Sequence, residues 1–162
     1  MSKIVQQKRG VFPTINRIEA LTDGVFAIVM TLLVLDISLS SFADASTKAE
    51  LMQGLLKLSP KFYSYALSFL ALGFLWHQHH LAFHHIKRSN TALTWINIVG
   101  LMFVALVPFS TSVLSEYNSA TMGNIPLVLY FTNLLIVIIM RVILLTFAAG
   151  RQQLTGILLG PK

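Results

Sequence analysis

The chain has no cysteine and very little charge. Of its 162 residues only 11% are Asp, Glu, Lys or Arg, where a soluble domain carries roughly 25%. That is too few to cover a water-facing surface, which argues against a soluble enzyme and against a disordered chain. The missing cysteines exclude a secreted disulfide scaffold. No glycine-rich phosphate loop and no H-E-x-x-H occurs. No T-V-G-Y-G filter occurs either, so an ordinary P-loop potassium channel is excluded. No apolar run carries an arginine at every third position, which removes a voltage sensor. Acid is scarce as well: 6 acidic residues stand against 12 basic ones, a net charge of +6. In a soluble protein that excess would suggest nucleic acid. In a chain that is 55% hydrophobic, with a mean hydropathy of +0.72, it reads as the basic flanks of membrane helices. No nucleic acid partner, no cofactor and no enzymatic activity is expected.

What is present is a set of long apolar runs. A bilayer core about 30 Å thick takes around 20 mostly apolar residues per helix. Stretches free of Asp, Glu, Lys and Arg place four spans, at about 20–39, 61–86, 90–114 and 124–148. The expected architecture is an all-α, polytopic membrane bundle forming one domain over 1–162. The first span is too long for a signal peptide and no clean cleavage site follows it. Ala49 to Leu58 reads as a short interfacial helix, with Leu51, Leu55 and Leu58 on one face. Pro60 and Pro126 open the second and fourth spans, and Pro108 predicts a break inside the third. Lys3, Lys8, Arg9 and Arg17, then Lys87 and Arg88, then Arg151 and Lys162 fall on one side of a four-span bundle, which puts both termini in the cytoplasm.

Polar groups inside such spans are costly and mark function or helix contacts. Glu19 and Asp23 share a face at the start of the first span; acidic groups also simply favour a helix N-terminus. His77, His79, His80, His84 and His85 cluster at the end of the second. Among them His77, His80 and His84 lie on one face at i, i+3, i+7, a spacing that could hold Zn²⁺, although no cysteine or neighbouring carboxylate completes a site. The plainer reading is interfacial histidines with one or two structural hydrogen bonds. Asn97 and Asn133 are expected to hydrogen-bond across helices, and Arg141 to snorkel toward the cytoplasmic surface.

On the first helix Gly24, Ile28, Thr31 and Leu35 fall on one face. Asp23 and Asp36 bracket it, about 20 Å apart at 1.5 Å per residue. An apolar stripe with one hydroxyl between carboxylates suits a pore in a symmetric oligomer. It also suits an ordinary packing face.

Arg17-x-x-x-Leu21-Thr22-Asp23 resembles the Arg-x-x-x-Phe-Ser-Asp signature of the transmembrane protein 175 family, the bacterial and endolysosomal potassium channels without a P-loop. Ser68-Phe69, Trp76-x-x-His79 and Phe83 on the second span are also similar to that family. So are Leu106-x-Pro108-Phe109-x-Thr111 and Glu116-Tyr117 on the third, and Tyr130-x-x-Asn133 on the fourth. The resemblance covers roughly 15–148. Leu21 and Thr22 depart mildly from the signature, keeping an apolar anchor and a hydroxyl. Bacterial members have six spans, and the tail from Arg151 to Lys162 is too short for two more, so the chain is a shortened form or an incomplete sequence. The resemblance implies a multi-pass homotetramer in a bacterial plasma membrane, conducting K⁺ passively along an axial pore lined by the first helix. It implies a hydrophobic constriction at Ile28, a hydroxyl layer at Thr31 and a further apolar layer at Leu35. It also implies a network of Arg17, Thr22, Asp23, Trp76 and His79 tying the first helix to its neighbours. The alternative is a proton- or metal-coupled transporter that uses the histidine face; a purely structural membrane scaffold is a third reading.

Overall fold

The computed structural model of the chain describes residues 15–37, 47–83, 90–117 and 122–159, and these are all helix or short connection. Helix α1, Ile15–Leu32, starts ahead of the expected boundary and continues as a 3-10 turn over Leu33–Asp36. Tightened last turns are common where an α-helix runs out of partners for its carbonyls. Ile18, Thr22, Phe26, Val29 and Leu33 are buried, and their spacing of three and four makes one inward stripe.

Helix α2, Lys48–Lys57, occupies the place of the expected short helix. Thr47 and Glu50 form a capping box at its start, each side chain accepting from the other's backbone N–H, at 3.2 and 3.1 Å. That box satisfies two of the donors a helix start leaves open. Leu51, Met52, Leu55 and Leu56 stay exposed, whereas Leu58 is buried.

Helix α3, Ser59–Phe83, follows with Pro60 in its first turn. The third expected span is two helices, α4 (Thr91–Ala105) and α5 (Val107–Glu116), divided at Leu106. Pro108 has no N–H to give to the Val104 carbonyl, and its ring crowds that carbonyl, so the helix restarts there. The last helix, α6, runs Ile125–Leu159, past the expected end at 148.

Side-chain contacts set the topology. Glu19 meets His80, Asp23 meets Trp76, and Lys61 reaches the Asp36 carbonyl, so α3 runs antiparallel to α1 along its whole length. Thr22 meets Asn97, Ile18 clusters with Leu93, and Phe26 with Leu101 and Val104, so α4 runs parallel to α1. Ser68 meets Tyr130, and Arg141 reaches the Leu75 carbonyl, which brings α6 back alongside α3. The bundle is up-down-up-down. Its core has two apolar clusters, one around Phe26, Leu72, Val104 and Val137, the other around Ile18, Phe83, Leu93 and Leu144.

Among the described residues three helical stretches are long and apolar enough to cross a membrane: Ile15–Asp36, Thr91–Glu116 and Ile125–Gly150. Helix α3 is not among them. At 25 residues it is about 37 Å long, but Tyr63, Ser64, Tyr65 and Ser68 at one end and His77, Gln78, His79 and His80 at the other dilute its apolar centre.

Candidate functional site

The first helix has two faces with opposite surroundings. The inward stripe is buried, while the outward face carries the residues expected at a pore. Ile28 is 61% exposed and Leu35 70%, and Thr31 and Gly24 are exposed as well. A Cβ added to Gly24 would meet nothing within 4 Å. Nothing in the described chain packs on this face, even though most of its side chains are apolar.

Thr31 has a particular hydrogen-bond state. Its hydroxyl donates to the Ile28 carbonyl at 2.7 Å. A hydroxyl has one proton and two lone pairs. With the proton spent inside the helix, the oxygen presents only lone pairs outward, the polarity a cation requires.

The inward face is pinned at both ends by polar contacts. Near its start, Thr22 donates to the Ile18 carbonyl at 2.9 Å and accepts from the Asn97 amide at 2.9 Å. Asp23 accepts from the Trp76 indole at 2.8 Å. Glu19 lies 3.2 Å from His80 Nδ1, and the His80 ring stacks on Trp76. Near its end, the two carboxylate oxygens of Asp36 accept from Ser112 at 2.6 Å and Ser115 at 2.8 Å. Asp36 is therefore bound to α5 rather than standing free as the far bracket of the outward stripe. Between these ends a buried polar layer joins α3, α5 and α6. Ser68 Oγ lies 2.8 Å from Thr111 Oγ1 and 3.0 Å from the Tyr130 hydroxyl, and Asn133 donates to Ser110 at 3.1 Å.

Thr22, Asp23 and Trp76 thus come together with Asn97, while two residues expected beside them do not share their hydrogen bonds. Arg17 is exposed, and among the described residues it has no ion-pair or hydrogen-bond partner. His79 is buried and stacked on Phe83 at 4.2 Å between ring centroids, with its Nε2 unpartnered. Of the three-histidine face, His77 and His80 are exposed and His84 lies outside the described residues, as do His85 and the basic residues Lys87 and Arg88. Among the described residues no group of three or more His, Asp or Glu is placed to hold a metal ion. Arg141 departs from the expectation that it snorkels. Its guanidinium turns into the bundle and donates to the Leu75 carbonyl, because α3 offers a backbone acceptor at the same depth.

Sequence reasoning missed three pairings: Glu19 with His80, Asp36 with the two serines, and Arg141 with Leu75. For Asp36 a signal existed. A carboxylate at the end of an apolar run requires donors, and Ser112 and Ser115 lie one helical turn apart at the matching end of the third span.

The comparisons with known proteins agree with this architecture. A model of the family described as the endosomal/lysosomal potassium channel TMEM175 matches residues 17–108. The chain is similar to a potassium channel of Streptomyces collinus, 42% identical over 102 residues that are 63% of this chain and 48% of that protein. It is similar to the endosomal/lysosomal proton channel TMEM175 of Bos taurus, 39% identical over 108 residues, 64% of this chain and 22% of that one. The crystal structure of a lysosomal potassium-selective channel TMEM175 homolog from Chamaesiphon minutus has the same fold, with a TM-score of 0.77 at 33% identity, covering 88% of this chain and 76% of that chain. The chain spans about half the length of the curated bacterial relatives it matches.

Proposed function

The chain belongs to the TMEM175 family of ion channels, and we propose that it conducts K⁺ passively through an axial pore of a homotetramer, lined by the outward face of α1. The observation that carries this reading is that face. Ile28 and Leu35 are more than half exposed while Phe26, Val29 and Leu33 on the other side of the same helix are buried. An apolar stripe that its own subunit leaves open, with Gly24 allowing close approach, is suited to four copies meeting on an axis.

Ile28 then forms the narrowest ring. It offers no ligand to replace water, so an ion keeps part of its shell there or loses it at a cost. Na⁺ holds its water more tightly than K⁺, so such a ring favours K⁺. The Thr31 ring, with its hydroxyl protons directed into the helix, supplies oxygen lone pairs one turn away, and Leu35 adds a further apolar layer. Asp23–Trp76, Thr22–Asn97 and Asp36–Ser112/Ser115 hold α1 at a fixed distance from the axis. Arg17, exposed at the helix start, is placed to pair with a neighbouring subunit. Helix α3 serves as a fourth crossing, since it runs beside α1 from the level of Asp36 to that of Glu19, and the protein is a single channel domain. Four crossings put both termini on one side, and the basic flanks near them argue that this side is the cytoplasm of a bacterial cell. No cofactor enters the mechanism.

The mammalian relatives' description as proton channels favours one second reading, proton passage along the same axis. Proteoliposomes with a K⁺ gradient and a voltage-sensing dye test the first. A potential that follows the K⁺ gradient without any coupling ion is expected. Flux that saturates and requires a proton or metal gradient would instead make the protein a coupled transporter. A pH-sensing dye in the same vesicles reads the proton arm.

A further inference from the structure

The buried ring of His79 carries the one described side-chain nitrogen that is fully enclosed and without a partner, Nε2. Such a group is costly unless something satisfies it. His79 lines a cavity of about 30 Å³ between α3, α4 and α6, with Phe26 of α1 also on its wall. A site needs about 10–15 Å³ on this measure to take one water, so there is room for a single small species. The other polar side chains lining it are Asn97 and Arg141, set among apolar groups such as Leu101 and Met140.

All three polar groups can donate into the cavity. The Arg141 guanidinium has five donors and no acceptor, and the Leu75 carbonyl takes one of them. The Asn97 amide has two N–H donors, of which Thr22 takes one. His79 Nε2 donates when it carries the ring proton. No carboxylate lines the cavity; Asp23, whose charge reaches His79, is bound to the Trp76 indole, and among the described residues no carboxylate lies within ion-pair distance of Arg141. Arg141 is part-buried and has a carbonyl but no carboxylate as partner, and such a charge in a membrane bundle is costly. A water molecule would satisfy the histidine but leave that charge unbalanced. A monovalent anion does both.

We propose that this cavity binds one small inorganic anion of chloride size, held by Arg141, His79 and Asn97, which joins α3, α4 and α6 away from the outward face of α1. The site does not depend on which ion the pore conducts.

The test uses the full chain purified in detergent. Thermal melting is followed while sodium chloride or sodium bromide replaces sodium gluconate at constant ionic strength. The expected result is a saturable rise in Tm of about 2–4 °C. Arg141→Gln should abolish it. His79→Phe keeps the ring contact with Phe83, removes one donor, and should weaken the halide response roughly tenfold. Crystals grown in bromide read the wild type directly, through an anomalous peak inside the cavity. Melting that is the same in halide and gluconate, or a bromide-free cavity, overturns the proposal and leaves water as the occupant.

Discussion

The Asn97 amide donates to Thr22 Oγ1 at 2.9 Å while the same Thr22 hydroxyl donates to the Ile18 carbonyl. One buried side chain therefore closes a helix turn and holds a second helix against it. Both residues are almost wholly enclosed, so neither can turn to bulk solvent if the other is lost.

Thr22→Val keeps the shape and removes the acceptor. Hydrogen bonds between membrane helices are worth about 0.6 kcal/mol on average and up to about 1.7; this one should lie toward the upper end because the amide is left enclosed. Unfolding in mixed detergent should show a loss of about 1.5 kcal/mol. The double variant Thr22→Val, Asn97→Leu should lose less than the two single variants added together. Strict additivity would show that the contact carries no coupling.

At the opposite end of α1, Ser112→Ala together with Ser115→Ala removes both donors to Asp36. A carboxylate left without partners in a part-buried site costs about 1–3 kcal/mol. The paired variant should melt lower than the parent, and adding Asp36→Asn should restore part of the loss because the charge is gone. If Asp36→Asn brings no recovery, the serines stabilise α5 by some other route.

Ile28 lies on the open face, so substituting it should leave the subunit's own melting unchanged. In the proposed pore Ile28→Asn wets the narrowest ring and relaxes selectivity. Reversal potentials under K⁺/Na⁺ gradients should move toward equal permeability. A channel that assembles with Ile28→Asn and keeps its preference would place the selective layer elsewhere.

Thr31→Val removes the hydroxyl layer at nearly constant volume. Conduction should persist with a weaker K⁺ over Na⁺ preference, and Rb⁺ and Cs⁺ should stay at or near K⁺, since their hydration is looser. A variant as selective as the parent would mean that Thr31 takes no part in discrimination.

Arg17 separates folding from assembly. Being exposed and unpaired among the described residues, Arg17→Ala should leave helix content and subunit melting unchanged while lowering the yield of oligomer on size exclusion. Asp23→Ala, which strands the Trp76 indole, should lower both. Equal effects of the two variants on melting would place Arg17 inside the subunit's own network.

The sequence alone determined the helical membrane class, the short helix before α3, the break at Pro108 and the face shared by Gly24, Ile28, Thr31 and Leu35. Each of these is local: residue spacing along one helix, or a missing N–H. Tertiary structure decided which helices are neighbours, and with that everything that depends on depth and partner. Helical periodicity says that Asp36 and Gly24 lie along one rod, but not that two serines 76 and 79 positions further on supply the donors for that carboxylate. Arg141 near a helix end can reach the surface as easily as a neighbouring carbonyl. Only the packing of α6 against α3 set the Leu75 carbonyl within its reach and left His79 beside it without a partner.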